Sequence, residues 1–134
     1  MKLTIIPLVD PTDQQYLDLY KIWPDQSRNQ IKTLLFSGQK FYAARFNDRL
    51  LGAAKIQIDQ YQGTIYDFLV RDVTRRRGVG LYLLDEIFHQ QPQVTHWFFS
   101  LRGVSEEERP VLVMFLLACG FTTTQDSNKW EKKA

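Results

Sequence analysis

The sequence predicts an α/β domain built on one mixed, mostly antiparallel sheet with helices on its flanks. Two observations predict it. Extended apolar runs fill the middle of the chain, and amphipathic helical patterns stand on either side of them. One of those helices also joins two strands, and a β-α-β connection is right-handed and places its strands parallel. At 134 residues the chain reads as one domain, 1–134, long enough to bury a core of its own.

Each element has its own signal. Leu3 to Val9 reads as the first strand, broken at Asp10-Pro11. Thr12 can cap a helix carrying Tyr16, Leu17, Leu19, Tyr20 and Trp23, and Pro24 stops it. Tyr16, Tyr20 and Trp23 read as core contacts. A short helix over Ser27 to Phe36 ends near Gly38. Phe41 to Phe46 and Leu50 to Ile58 form a hairpin across Asn47-Asp48, two residue types that tolerate positive φ. A turn at Tyr61-Gln62-Gly63 leads into a strand from Thr64 to Val73. A helix follows with a stripe at Leu81, Leu84 and Phe88, and Val94 to Ser100 is the next strand, parallel to the one before the helix. Ser105 to Glu108 looks like a capping box, yet Pro110 would then sit inside the first turns. The helix is therefore expected to start near Pro110 and run to Cys119, with Gly120 as its left-handed stop. Phe121 to Gln125 and Lys129 to Glu131 read as a last strand pair.

Composition narrows the function classes. Hydrophobic residues make up 44% and charged residues 24%, ordinary for a globular protein, and the net charge of +2 points to neither nucleic acid nor membrane. The start of the chain lacks a long apolar segment, and no run approaches the ~20 residues needed to span a bilayer. Val111 to Cys119, the most apolar stretch, suits a buried helix. One cysteine excludes an internal disulfide and a multi-cysteine metal site. Cys119 reads as core, and His89 and His96 lie on different elements without a carboxylate cluster. A cytoplasmic protein without a metal is expected.

The segment Val73-Thr74-Arg75-Arg76-Arg77-Gly78-Val79-Gly80 carries the chemistry. It links a strand to a helix start, where glycines admit a ligand close to the backbone and amide N–H groups face an anion. Three arginines add charge where phosphates would sit. The alternative is a structural strand–helix turn with a solvated basic corner. The spacing is not that of a Rossmann dinucleotide site, since position 83 is Leu.

Arg75-x-x-Gly78-x-Gly80 resembles the R/Q-x-x-G-x-G/A loop of GNAT acyltransferase-like domains, which holds the pyrophosphate of acetyl-coenzyme A. The strand and helix order is also that of the GNAT fold. The resemblance extends to Met1-Lys2-Leu3-Thr4-Ile5-Ile6, Lys21-Ile22-Trp23-Pro24, Tyr42-Ala43-Ala44-Arg45-Phe46-Asn47 and Gly120-Phe121-Thr122-Thr123. With these blocks the chain is similar to the PanZ/PanM family, GNAT-like factors acting on the aspartate α-decarboxylase proenzyme. Arg28 to Lys40, Glu106 to Pro110 and the tail after Gln125 depart from the pattern. The resemblance implies an acetyl-CoA- or CoA-sensing regulator that promotes self-cleavage of the proenzyme to its pyruvoyl form and damps the mature enzyme. It further implies that Phe68, Leu69 and Val70 line the thioester and pantetheine arm. Thr74, Arg75, Arg76, Arg77, Gly78, Val79, Gly80 and Leu81 would hold the pyrophosphate, and Arg45, Phe46 and Asn47 would meet the partner.

Transferase chemistry needs a base for the ammonium and an acid for the departing thiolate. The tyrosine that supplies the acid in many active GNAT enzymes is matched here by Leu116, with Phe115 beside it, and the frequent glutamate base by Thr64. Asp67 lies three residues along the strand, which by simple alternation puts it on the opposite face, so it reads as a solvated carboxylate in preference to a relocated base. These positions lean toward a regulator rather than an enzyme. The alternatives are an active acetyl-CoA-dependent N-acetyltransferase on a small amine or protein lysine, and a nucleic-acid binder using the arginine triplet.

Overall fold

In the computed structural model, which describes residues 3–71 and 78–133, Thr4–Leu8 forms β1 and Asp13–Ile22 forms α1. Arg28–Phe36 is α2, and Lys40–Phe46, Arg49–Asp59 and Gln62–Val70 are β2, β3 and β4. Val79–Gln90 is α3, His96–Ser100 is β5, Arg109–Ala118 is α4, and Thr122–Thr123 and Lys129–Lys133 are β6 and β7. The element order matches the expectation throughout. One sheet runs β1-β2-β3-β4-β5-β7-β6, antiparallel except where β4 meets β5.

Local signals explain the boundaries. Thr12 and Ser27 open α1 and α2 with capping boxes closed by Gln15 and Gln30. Trp23 ends α1 at φ −124 because Pro24 disfavours helical geometry in the residue before it. Asn47 and Asp48 turn the β2–β3 hairpin at φ 53 and φ 63, the left-handed pair that matches strand twist. Pro110 sits in the first turn of α4, as expected, and the Ser105 hydroxyl accepts the Glu108 amide just ahead of it. Gly63 is dictated by packing: a Cβ there would stand 2.6 Å from Cζ3 of buried Trp97.

The sheet is covered on both faces, so its central strands alternate between two cores. Phe41, Ala43, Leu50 and Ala53 face α1 and α2, packing with Tyr16, Leu19, Ile22, Trp23 and Ile31. Tyr42, Ala44, Ala54, Ile56 and Ile65 face α3, packing with Val79, Leu83, Leu84 and Ile87. Burying one such Leu or Ile contributes roughly 1.5–3 kcal/mol.

Three expectations about packing change. Tyr20 points to solvent, 61% exposed, while Tyr16 and Trp23 are buried. In α3 the covered stripe is Val79, Leu83, Leu84 and Ile87, and Leu81 is turned outward. In α4 only Leu116 is buried; Val111, Met114 and Leu117 are exposed, because the helix packs by one edge. Cys119 packs at the margin of the core, and burial pushes its thiol up, with Lys132 partly offsetting this.

Candidate functional site

The site begins with a break in strand pairing. Ala53 pairs with Leu69, but Lys55 pairs with Tyr66, so Asp67 and Phe68 stand against Ala54 alone. This is a β-bulge, and Asp67 takes φ 48, the left-handed region. The pairing of β4 with β5 covers Gln62 to Ile65 and His96 to Phe99. Beyond it the two strands diverge.

A cleft of about 470 Å³ opens at this divergence, within the usual range for a small-molecule site. One wall is Phe68, Leu69 and Val70 of β4; the other is Val104 with Val111, Leu112 and Phe115 of α4. Gly78, Gly80 and Leu81, at the start of α3, close one end. Trp23, Pro24, Asp25 and Gln26, from the loop between α1 and α2, close the other beside Asp67. The Phe68 ring stacks on Phe115 at 5.6 Å, and a Cβ on Gly80 would touch both rings at 3.7 Å. Gly78 caps α3 at φ 72 and, having no side chain, leaves the first helical amides without a cap from among the described residues.

Polar groups concentrate beside the bulge. Lys55 Nζ lies 2.8 Å from Asp67 Oδ2 and also donates to Gln26 Oε1. Gln26 Nε2 donates to Asp67 Oδ2 at 3.0 Å, and the Trp23 indole donates to the Asp67 carbonyl at 2.9 Å. Lys55 itself is 2% exposed, with its ammonium 4.7 Å from the Trp23 ring. Asp67 is therefore an ion-paired group at the cleft, and the expectation of a solvated carboxylate on the far face fails. The bulge is the reason, since it breaks the alternation that the expectation assumed. Tyr66 is committed elsewhere: its hydroxyl donates to Gln39 Oε1 at 2.5 Å. Burial, followed by the charge of Asp67, pushes its phenol up.

Of the residues expected at a ligand, Phe68, Leu69, Val70, Gly78, Gly80 and Leu81 line the cleft. Val79 is buried in the core beneath it. Thr74, Arg75, Arg76 and Arg77 lie outside the described residues. Arg45, Phe46 and Asn47 form the hairpin end and take no part in the cleft. Sequence reasoning missed the Trp23–Gln26 wall, the α4 wall and the Lys55–Asp67 pair. A signal existed for the last: a lysine inside the apolar run Gly52-Ala53-Ala54-Lys55-Ile56. Among the described residues, no tyrosine, histidine or cysteine lines the cleft, and none group to hold a metal ion.

A bulged β4 parting from a parallel β5, with a helix starting at the cleft end, defines a GNAT-type domain. The chain matches the family model described as acetyltransferase (GNAT) domain, PanZ, over residues 2–131. It belongs to the PanZ family. It is 44% identical over 132 residues to the PanD regulatory factor of Escherichia coli (strain K12), covering 98% of this chain and 99% of that protein. The PanD regulatory factor of Salmonella typhimurium (strain LT2) is 42% identical, with 99% and 100% covered. A solution structure of YhhK from E. coli bound to coenzyme A superposes with a TM-score of 0.86 at 44% identity, covering 100% of both chains. A GNAT acetyltransferase from Elizabethkingia anophelis with acetyl-CoA bound shares the fold, at TM-score 0.69 and 18% identity over 98% of both chains.

Proposed function

We propose that this chain is an acetyl-coenzyme A-responsive regulatory factor of aspartate α-decarboxylase. It binds the proenzyme, promotes its self-cleavage to the pyruvoyl form and adjusts the activity of the mature enzyme. The cleft where β4 leaves β5 carries this reading, taken with full-length similarity to two PanD regulatory factors.

The residues present suit the coenzyme. Phe68, Leu112 and Phe115 offer an apolar slot for a pantetheine arm, with Leu69 and Val70 alongside. Among the described residues nothing stands within 4 Å of where a Gly78 Cβ would be, so a phosphate can approach the α3 amides closely. Thr74 to Arg77 would complete that anion site with their own amides and guanidinium groups. When bound, the coenzyme supplies a thioester-bearing ligand whose affinity is coupled to that of the partner. The hairpin Arg45-Phe46-Asn47 is assigned to the partner surface.

Leu116 stands where many active GNAT enzymes carry their acid tyrosine and Thr64 where they carry their glutamate base, and Asp67 is held by Lys55 and Gln26. Binding without turnover is accordingly part of the proposal. So is residence in the cytoplasm; none of the described helices is long and apolar enough to cross a membrane. The test is the affinity of the decarboxylase for this chain with and without acetyl-CoA. The reading expects tighter binding with the ligand, and an unchanged affinity would refute it.

A further inference from the structure

We infer that Lys55 is a positioning residue that holds the β4 bulge, and through it the cleft, in its open form. The inference rests on reading the cleft as the coenzyme site.

Asp67 occupies a backbone region that residues with a side chain rarely adopt, at φ 48. Something must hold it there, and the structure shows what does. Its carboxylate is gripped by Lys55 Nζ at 2.8 Å and by Gln26 Nε2 at 3.0 Å. Its carbonyl accepts from Trp23 Nε1 at 2.9 Å. Lys55 and Gln26 are also bonded to each other, which closes a three-membered ring of contacts. Lys55 projects from β3, the strand against which β4 bulges, so the ion pair spans the irregularity itself.

The arrangement is more than packing. Lys55 is almost wholly buried, among the rings of Trp23, Phe41 and Tyr66, where an unpaired ammonium would be costly. Asp67, 28% exposed in its side chain, has the cleft to turn into if released. Without Lys55 the carboxylate rehydrates, Asp67 leaves the left-handed region, and Phe68 shifts with it, while Leu69 and Val70 keep their pairing with Ala53 and Gly52. The slot between β4 and α4 then narrows.

The experiment compares coenzyme A affinity by calorimetry for the wild type and three variants, with folding checked by circular dichroism. Lys55→Met should weaken binding by about tenfold or more. Lys55→Met with Asp67→Gly should restore it to within about threefold, because glycine adopts positive φ without help. Lys55→Met with Asp67→Ala should stay weak, since alanine disfavours that conformation. Equal rescue by glycine and alanine would mean that Lys55 acts through charge alone, and rescue by neither would mean that the backbone is not what it holds. Either result overturns the inference. If Lys55→Met does not fold, Asp67→Ala alone is read against Asp67→Gly with the same expectations. Hydrogen exchange of the Trp23 indole N–H reads the clamp without ligand: it should quicken in Lys55→Met and recover with Asp67→Gly. Unchanged exchange in Lys55→Met overturns the inference even if no protein binds coenzyme A, whereas a wild type that fails to bind with normal indole behaviour refutes only the coenzyme reading.

Discussion

The indole nitrogen of Trp23 donates to the main-chain carbonyl of Asp67 at 2.9 Å, joining residues 44 apart in the chain. The bond ties the end of α1 to the bulge of β4, so the loop that closes the cleft and the strand that forms its wall are fixed to each other. Trp23→Phe keeps an aromatic ring but leaves that carbonyl without its donor. Loss of the bond and of ring volume should cost about 1–3 kcal/mol in chemical denaturation. A change within experimental error would mean that the tie is dispensable.

Gly78 precedes α3 at φ 72, with no atom of the described residues within 4 Å of where a Cβ would lie. Gly78→Val therefore meets no clash with the described residues but must adopt a left-handed backbone, at roughly 1–2 kcal/mol. Its side chain would stand where a phosphate should approach. Calorimetry should show coenzyme A affinity reduced by about tenfold in a variant that still melts cooperatively. Preserved affinity would contradict the assignment of this helix start.

Asp18 is fully buried and joins α1 to the hairpin through Arg49 and the Leu50 amide, at 2.7 Å and 2.9 Å. Burial alone would raise its carboxyl, but hydrogen bonds from Arg49, Leu50 and Gln14 outweigh it and hold the group below the usual aspartate range. A folded-state pKa below the unfolded one stabilises at pH values above the unfolded pKa, and the contribution fades as pH falls through the folded value. Asp18→Asn should thus cost about 1–3 kcal/mol near neutral pH. The gap to wild type should narrow below about pH 4, in denaturant titrations at both pH values. A gap independent of pH would show that the charge of Asp18 does not matter.

Gly63 faces the ring of Trp97, which is 2% exposed and cannot retreat. Gly63→Ala should destabilise by about 1–3 kcal/mol through overpacking, visible as a lower melting temperature. An unchanged melting temperature would mean that β4 and β5 can separate where they pair.

What was legible in the sequence follows from how local each cause is. Pro24, Asn47-Asp48, Pro110 and Gly120 act on their own backbone, so they place the ends of elements without reference to the rest of the chain. The continuous apolar runs of β2 and β3 are likewise local patterns, and they suit strands buried on both faces. The bulge at Asp67 is different, because it arises from how β4 meets β3, and nothing in Tyr66-Asp67-Phe68 announces it. For the same reason the Lys55–Asp67 pair is only half legible: a lysine inside an apolar run calls for a partner, but nothing in the sequence points to the residue 12 positions away. α4 was misjudged because apolar composition does not say how much of a helix is covered. Phe68, Leu69 and Val70 are carried over by position from the family resemblance, and Gly78, Gly80 and Leu81 come from the glycine loop; all six line the cleft.

The most direct test of the regulatory account is processing of the purified decarboxylase precursor, followed on a denaturing gel with this protein present, with and without acetyl-CoA. The account predicts faster cleavage only when protein and acetyl-CoA are together. Cleavage at the unaided rate in a precursor competent to process itself would contradict it.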